Sequence, residues 1–490
     1  MFRITLVVVA ALAAVGCGPK IAKVQIPAGP PEHEVLFAQG QAAFREATPE
    51  GYLKSAEAFR KASVLSPEHC EYPLHLAQSL MFLAMEQKLN QEDFAPTGKE
   101  ASEVIAAIQT QPCAARFAPL LSRVQALSTS PGQAQAVVGN AVIQIQESTR
   151  GQESTDAINR ALEADPADAM NWLVLWKLSP YDPRGPLLKA NELAPDLPIV
   201  QYEMGTANTT LTHYPAARVN FERALALSSR HFHSMLGLAY SLAVTDPDTN
   251  EVLPLYLKAV DVAPKYLEGH ALLGYYYDQI EESDKAIAQY RTIVELNPKY
   301  EPGQLSLGIA IYKANQFDAS EQALVAAVAL DSRDSQAHFY RASIWLTRND
   351  LPRAQDEAEL AIRTAPTFVE AFCLLGVILE RESRIDEALA QYERALRIKR
   401  DYPDALMSRG NIRAQRSQFA DAVADFTAAI DAYRSQISAL EKEATKAEAS
   451  GFLLKARAER RRKSDTETAI SRAEEIRKRV LAVMPEASGR

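Results

Sequence analysis

The sequence is poor in the residues that build chemical sites. Four cysteines, three tryptophans and eight histidines are spread over 490 residues. No Cys-x-x-Cys pair and no G-x-S-x-G nucleophile elbow occurs. "APTGKEAS" carries Gly98 and Lys99, but Asp93 stands where a P-loop needs its first glycine. Glu100 stands where the hydroxyl that holds Mg²⁺ belongs. His231 and His233 in "RHFHS" have no third ligand at metal-site spacing and read as exposed linker residues. An excess of cations is missing too: the net charge is −9, which argues against nucleic acid. No Gly/Ser-rich stretch divides the body. The expectation is a chain without metal, cofactor or small-molecule substrate, and not an enzyme.

What the chain has is a period. Gly205, Ala239, Gly274, Gly308, Ala342, Gly376 and Gly410 follow one another at 34 or 35 residues. Glycine inside a helix costs roughly 1 kcal/mol relative to alanine, so its recurrence needs a reason. Twelve residues after most of these stands a second small residue: Ala217, Ala286, Ser320, Ala354, Ala388 or Ala422. Four further on is a larger apolar one, Phe221, Tyr290, Leu324, Tyr392 or Phe426, with Ala358 the exception. Steps of four and three are neighbours on a helix face, while the step of twelve spans a turn. Each unit is therefore a pair of amphipathic helices. The small residues let the helices approach and the ring fills the gap beside them. Pro264, Pro298 and Pro366 end second helices, because proline cannot donate into them.

This pattern resembles the tetratricopeptide repeat family, whose unit is a 34-residue helix–turn–helix. Seven units carry it clearly over 198–435. Degenerate helical repeats continue upstream over 33–197, with "GYLKSAEAFRKASVLSP" reading as a second helix after "VLFAQGQAAF". The resemblance implies an all-α, right-handed superhelical solenoid of about eleven helix pairs. A bend is expected near Leu178 to Leu187.

The two ends differ from the body. Residues 1–16, "MFRITLVVVAALAAVG", join a basic Arg3 to a 12-residue apolar run, too short to span a bilayer comfortably. Ala14-Val15-Gly16 followed by Cys17 resembles a bacterial lipobox, which implies lipidation of Cys17. Ordinary secretion with cleavage after Ala13 is the other reading. Gly18 beside Cys17 favours the periplasmic face of an outer membrane. The Pro/Gly-rich residues 17–32 read as a lipid-anchored tether, reaching roughly 45 Å when extended. In an oxidising compartment Cys70 and Cys113, each after a predicted second helix, are a possible disulfide. Cys373 reads as a small buried residue. After residue 435 the charge changes sign: residues 436–490 carry +4 and residues 17–435 carry −14. Lys455, Arg457, Arg460, Arg461, Arg462 and Lys463 cluster there. These helices read either as a solvated cap or as a docking element for an acidic partner or anionic lipid.

Without a catalytic motif, function falls to the surface. The resemblance implies that first helices line a groove, with exposed positions three before, one after and four after the small residue. Among these are Tyr202, Tyr240, Tyr275, Asp278, Tyr312, Phe339, Leu346 and Glu380. The tyrosines either face that groove or pack between repeats; Tyr276 and Tyr277 point towards neighbouring helices. By resemblance, the expectation is a scaffold for protein or peptide partners of the cell envelope, joined to the membrane by its lipid. Its task would be assembly of a pilus or secretion channel, outer-membrane protein insertion or polysaccharide export. The alternative is an adaptor that recruits and regulates cell-wall enzymes.

Overall fold

The computed structural model describes residues 30–46, 48–67, 69, 71–90, 95–109, 122–123, 149–178, 185–246, 249–449 and 453–483. Among them are 22 α-helices and no strand. The first seven are α1 (Glu32–Arg45), α2 (Pro49–Leu65), α3 (Glu71–Leu89), α4 (Ala95–Gln109), α5 (Thr149–Ala164), α6 (Ala169–Leu178) and α7 (Gly185–Leu193). The regular repeats then begin with α8 (Pro198–Thr210) and α9 (Tyr214–Leu227), α10 (Phe232–Thr245) and α11 (Val252–Val262), α12 (Leu267–Gln279) and α13 (Ser283–Leu296). They continue with α14 (Glu301–Lys313) and α15 (Phe317–Leu330), α16 (Ser335–Thr347) and α17 (Leu351–Thr364), α18 (Val369–Arg381) and α19 (Ile385–Ile398). α20 (Pro403–Gln415) and α21 (Phe419–Ala449) form the last pair, and α22 (Leu453–Val483) folds back on α21. The fold is an all-helical tetratricopeptide solenoid. None of these helices is long and apolar enough to cross a membrane. Cys17, Cys70, Cys113 and residues 179–184 of the bend expected near Leu178 to Leu187 lie outside the described residues.

The glycines do what their period suggests. A Cβ on Gly274 would lie 2.8 Å from Tyr290, one on Gly308 2.7 Å from Leu324 and one on Gly410 2.7 Å from Phe426. Where the partner sixteen residues on is only Ala358, the small residue is Ala342, and both are fully buried. Ala217, Ala286, Ala354, Ala388 and Ala422 are fully buried as well. Ser320 joins them because its hydroxyl donates to Gly308 O at 2.7 Å, leaving no unpaired polar group.

Six of the seven regular first helices stop in the same way; α10 is the exception, ending at Asp246 with φ −140°. Seven residues after the small residue the backbone turns left-handed: Thr212, Glu281, Asn315, Asn349, Ser383 and Ser417 have φ between 58° and 62°. The next N–H then reaches back five residues, as in Glu282 to Tyr277 O (2.9 Å) and Arg384 to Leu379 O (2.9 Å). This geometry satisfies carbonyls that the helix end leaves free. Second helices are sealed by their successors. Asn171, Gln201, His270, Gln304 and His338 each donate to the carbonyl six residues earlier, at 2.8–3.1 Å.

Two expectations change. α21 is one 31-residue helix, so the last repeat and the charged tail share an element rather than parting at residue 436. His231 and His233 are not exposed linker residues. His231 is fully buried and caps α10, accepting from Ser234 N at 3.2 Å, and His233 is 7% exposed inside that helix. Nothing near His233 in sequence signals this, because its partner Glu86 lies on α3, 147 residues away.

Candidate functional site

The first helices carry the candidate residues, and the structure separates them into three groups. Tyr240 on α10 and Tyr275 on α12, each one residue after its small residue, are 42% and 61% exposed. Large rings left in water on adjacent repeats stand out against the buried Tyr276 and Tyr277 beside them. Helical geometry explains the split: successive side chains are about 100° apart, so only one of the three can face outward. Tyr214 meets Tyr240 edge-on at 6.3 Å and widens this surface. Partial burial, with Tyr214 beside it, raises the Tyr240 hydroxyl above its usual range, so it stays a neutral donor at physiological pH.

The second group packs between repeats. Tyr312 lies edge-on to Tyr340 at 5.1 Å and 5.5 Å from Phe317. Phe339 continues the row, 5.2 Å from Tyr340 and 5.0 Å from Phe368. Tyr312 and Phe339 are half-buried, so this row serves repeat stacking as well as surface. Leu346 is buried and is not a groove residue, and Cys373 is buried with its thiol pushed up to about 12 by burial. Glu380 accepts from Tyr392 Oη and is therefore engaged within its own repeat. Asp278 is held by Lys313 of the next repeat at 3.2 Å.

The third group is covered by the N-terminal helices. Tyr202 packs on His231 and His233, with ring centroids 5.2 and 5.4 Å away. His233 donates through Nε2 to Glu86 of α3 at 2.8 Å. Burial alone would lower the His233 pKa, but Glu86, Glu268 and Glu203 overcome it and raise it above 6.5. Burial, with His233 beside it, pushes His231 down to about 3. Tyr202 is thus half-buried within a seam between two parts of the chain.

Among the described residues no three His, Cys, Asp or Glu side chains converge as metal ligands. The exposed part of the candidate face is aromatic and hydroxylated, with acidic Asp278 and Glu281 close by in sequence.

Comparison with known proteins agrees on the repeats. Family models described as Tetratricopeptide repeat match residues 267–300, 305–367 and 370–437. Tetratricopeptide repeat protein 8 of Caenorhabditis elegans is 25% identical over 145 residues, 29% of this chain and 29% of that protein. Superkiller complex protein 3 of Mus musculus is 24% identical over 257 residues, 44% of this chain and 16% of that protein. The chain spans less than a third of the length of these relatives. Among solved structures, yeast Tom70 is 16% identical with a TM-score of 0.37, over 86% of this chain and 95% of its own. YrrB, described as a TPR protein with an unusual peptide-binding site, is 20% identical with a TM-score of 0.32, over 38% and 95%.

Proposed function

We propose that this protein is a non-catalytic scaffold that receives protein or peptide segments on the face carrying Tyr240 and Tyr275. The observation behind this reading is their exposure on adjacent repeats, where every other ring in α12 is buried. Tyrosine gives large contact area for few rotatable bonds, and interface energy concentrates in such anchors. The scaffold is held outside the cytoplasm by a lipid on Cys17, at the periplasmic face of an outer membrane, and serves assembly of an envelope machine.

A photo-crosslinking side chain at Tyr275 tests the face in membranes from the native host. A discrete adduct is expected there and none from Leu257, which is 47% exposed on a second helix. Equal adducts from both sites, or none from Tyr275, would refute the tyrosine face as the binding surface.

A further inference from the structure

In a solenoid each repeat contacts only its neighbours, so curvature is the sum of many small, soft rotations. This chain adds long ties between distant segments, and two of them end on α12. At the start of α12, Asn90 accepts from Leu267 N at 2.7 Å and donates to Lys265 O at 2.8 Å. At its end, Arg462 of α22 donates to Gln279 O at 3.2 Å. Arg461 and Arg462 also lie 3.5 and 3.8 Å from Glu281 in the turn that follows. The free amide at one helix end and the free carbonyl at the other are thus met by residues from opposite ends of the sequence.

The two ties differ in kind. Asn90 is 7% exposed and its neighbour pair His233–Glu86 is buried too, so water and salt reach that seam poorly. Arg461 is 72% exposed, and its pairing with Glu281 is of the surface type that salt screens. The C-terminal tie also works through a lever. α21 leaves the repeat core after Ile430, which is fully buried. It then runs about 28 Å further as a mostly exposed helix. α22 returns along it, joined by Lys463–Glu441 (2.8 Å) and Arg434–Glu474 (2.8 Å), with Val480 packed in the core of the last repeat. Three repeats, α14 to α19, intervene in sequence between the lever's base and the point it touches.

We infer that the α21–α22 hairpin is a releasable electrostatic strap that fixes the curvature of the repeats from α12 to α21. Its basic cluster is then explained by an acidic site on the chain itself rather than by solvation. The helix carbonyl end at Gln279 adds partial negative charge to Glu281, which suits an arginine pair. Its consequence for binding rests on the tyrosine-face reading: Tyr275 lies on the strapped helix, so release changes how that face meets a partner.

The strap is tested on the full chain with nitroxides carried by genetically encoded side chains at Asp284 and Ser464, both exposed. A short, narrow distance distribution is expected at low salt, with a longer, broad component growing as NaCl rises from about 0.05 to about 0.5 M. Glu281→Lys should populate the long component at low salt. Adding Arg461→Glu to Glu281→Lys should restore the short one, with Arg462 keeping its bond to Gln279 O. A distribution unmoved by both salt and Glu281→Lys would overturn the strap, as would a failure of the charge swap to restore it in a chain of unchanged helicity. The crosslinker at Tyr275 is then read in the Glu281→Lys background. A changed adduct yield is expected; an unchanged yield overturns the effect on binding, and loss of adducts in wild type as well condemns the tyrosine face alone.

Discussion

Gly376 and Tyr392 exclude each other's growth: a Cβ on Gly376 would stand 2.5 Å from the ring of Tyr392, which is fully buried. The ring occupies the space a side chain would take, so it must move if that side chain appears. Gly376→Ala should cost about 1–3 kcal/mol and Gly376→Leu more, by overpacking. Because repeats couple to their neighbours, hydrogen exchange should rise mainly over residues 340–435. Exchange rising uniformly along the chain would contradict a linear solenoid.

The left-handed turns give a prediction of opposite sign. Ser383 has φ 62°, a region that costs L-residues roughly 1–2 kcal/mol. Ser383→Gly removes that strain but adds freedom to the unfolded chain. A net gain of about 0.5–1 kcal/mol is expected, read as a higher urea midpoint with unchanged slope. A lower midpoint would show that the turn absorbs the strain.

The seam at His233 should be sensitive to pH. Its folded pKa is raised, so its contribution is fully present below about 6.5 and is lost as pH rises through the folded value. Raising pH from about 6 to about 9 should lower Tm in wild type more than in His233→Gln, whose side chain does not titrate. At about pH 6 that variant should already be less stable by about 3 kcal/mol, since it leaves Glu86 without its charged partner. Parallel Tm curves for the two proteins would rule out the histidine as the source.

Anchoring is tested separately. Cys17→Ser should abolish acyl labelling and release the protein from membranes. A wild-type protein that begins at Ala14 and stays soluble would show secretion without a lipid.

Tyr275→Ala should barely alter stability, because the ring is mostly in water already. Tyr290→Ala should cost about 3–5 kcal/mol, like other large buried rings. If partner capture falls equally in both, the loss reflects folding rather than contact.

The repeats were legible because their cause is local and steric: Gly274 and Tyr290 sit sixteen residues apart in one unit, and that spacing recurs. Tyr275 was legible as an outward ring for the same reason, from its place one residue after Gly274. What sequence could not supply was contact between distant repeats. His233 looked like a linker residue because nothing near it in sequence explains a buried imidazole; Glu86 does. Leu346 shares its repeat position with Tyr312, yet it is buried where Tyr312 is partly open, so equivalent positions are not equally exposed. The side chains of Gln201, His270, Gln304 and His338, each four residues before a small residue, are a signal of such contact between units. A polar residue recurring in phase at a helix start marks a waiting carbonyl.

Those four side chains also decide what can be cut. Gln304 belongs to α14, yet the carbonyl it closes, Pro298 O, ends the unit before. The unit of sequence and the unit of stability are therefore offset by about two helical turns. A fragment trimmed at residue 300 carries every residue of its last repeat and still has a frayed end. One extended past Gln304 takes its stopper from a neighbour it otherwise lacks. Shuffling or duplicating these repeats would go best with breakpoints inside the first helices, where each piece keeps the residue that closes the one before it.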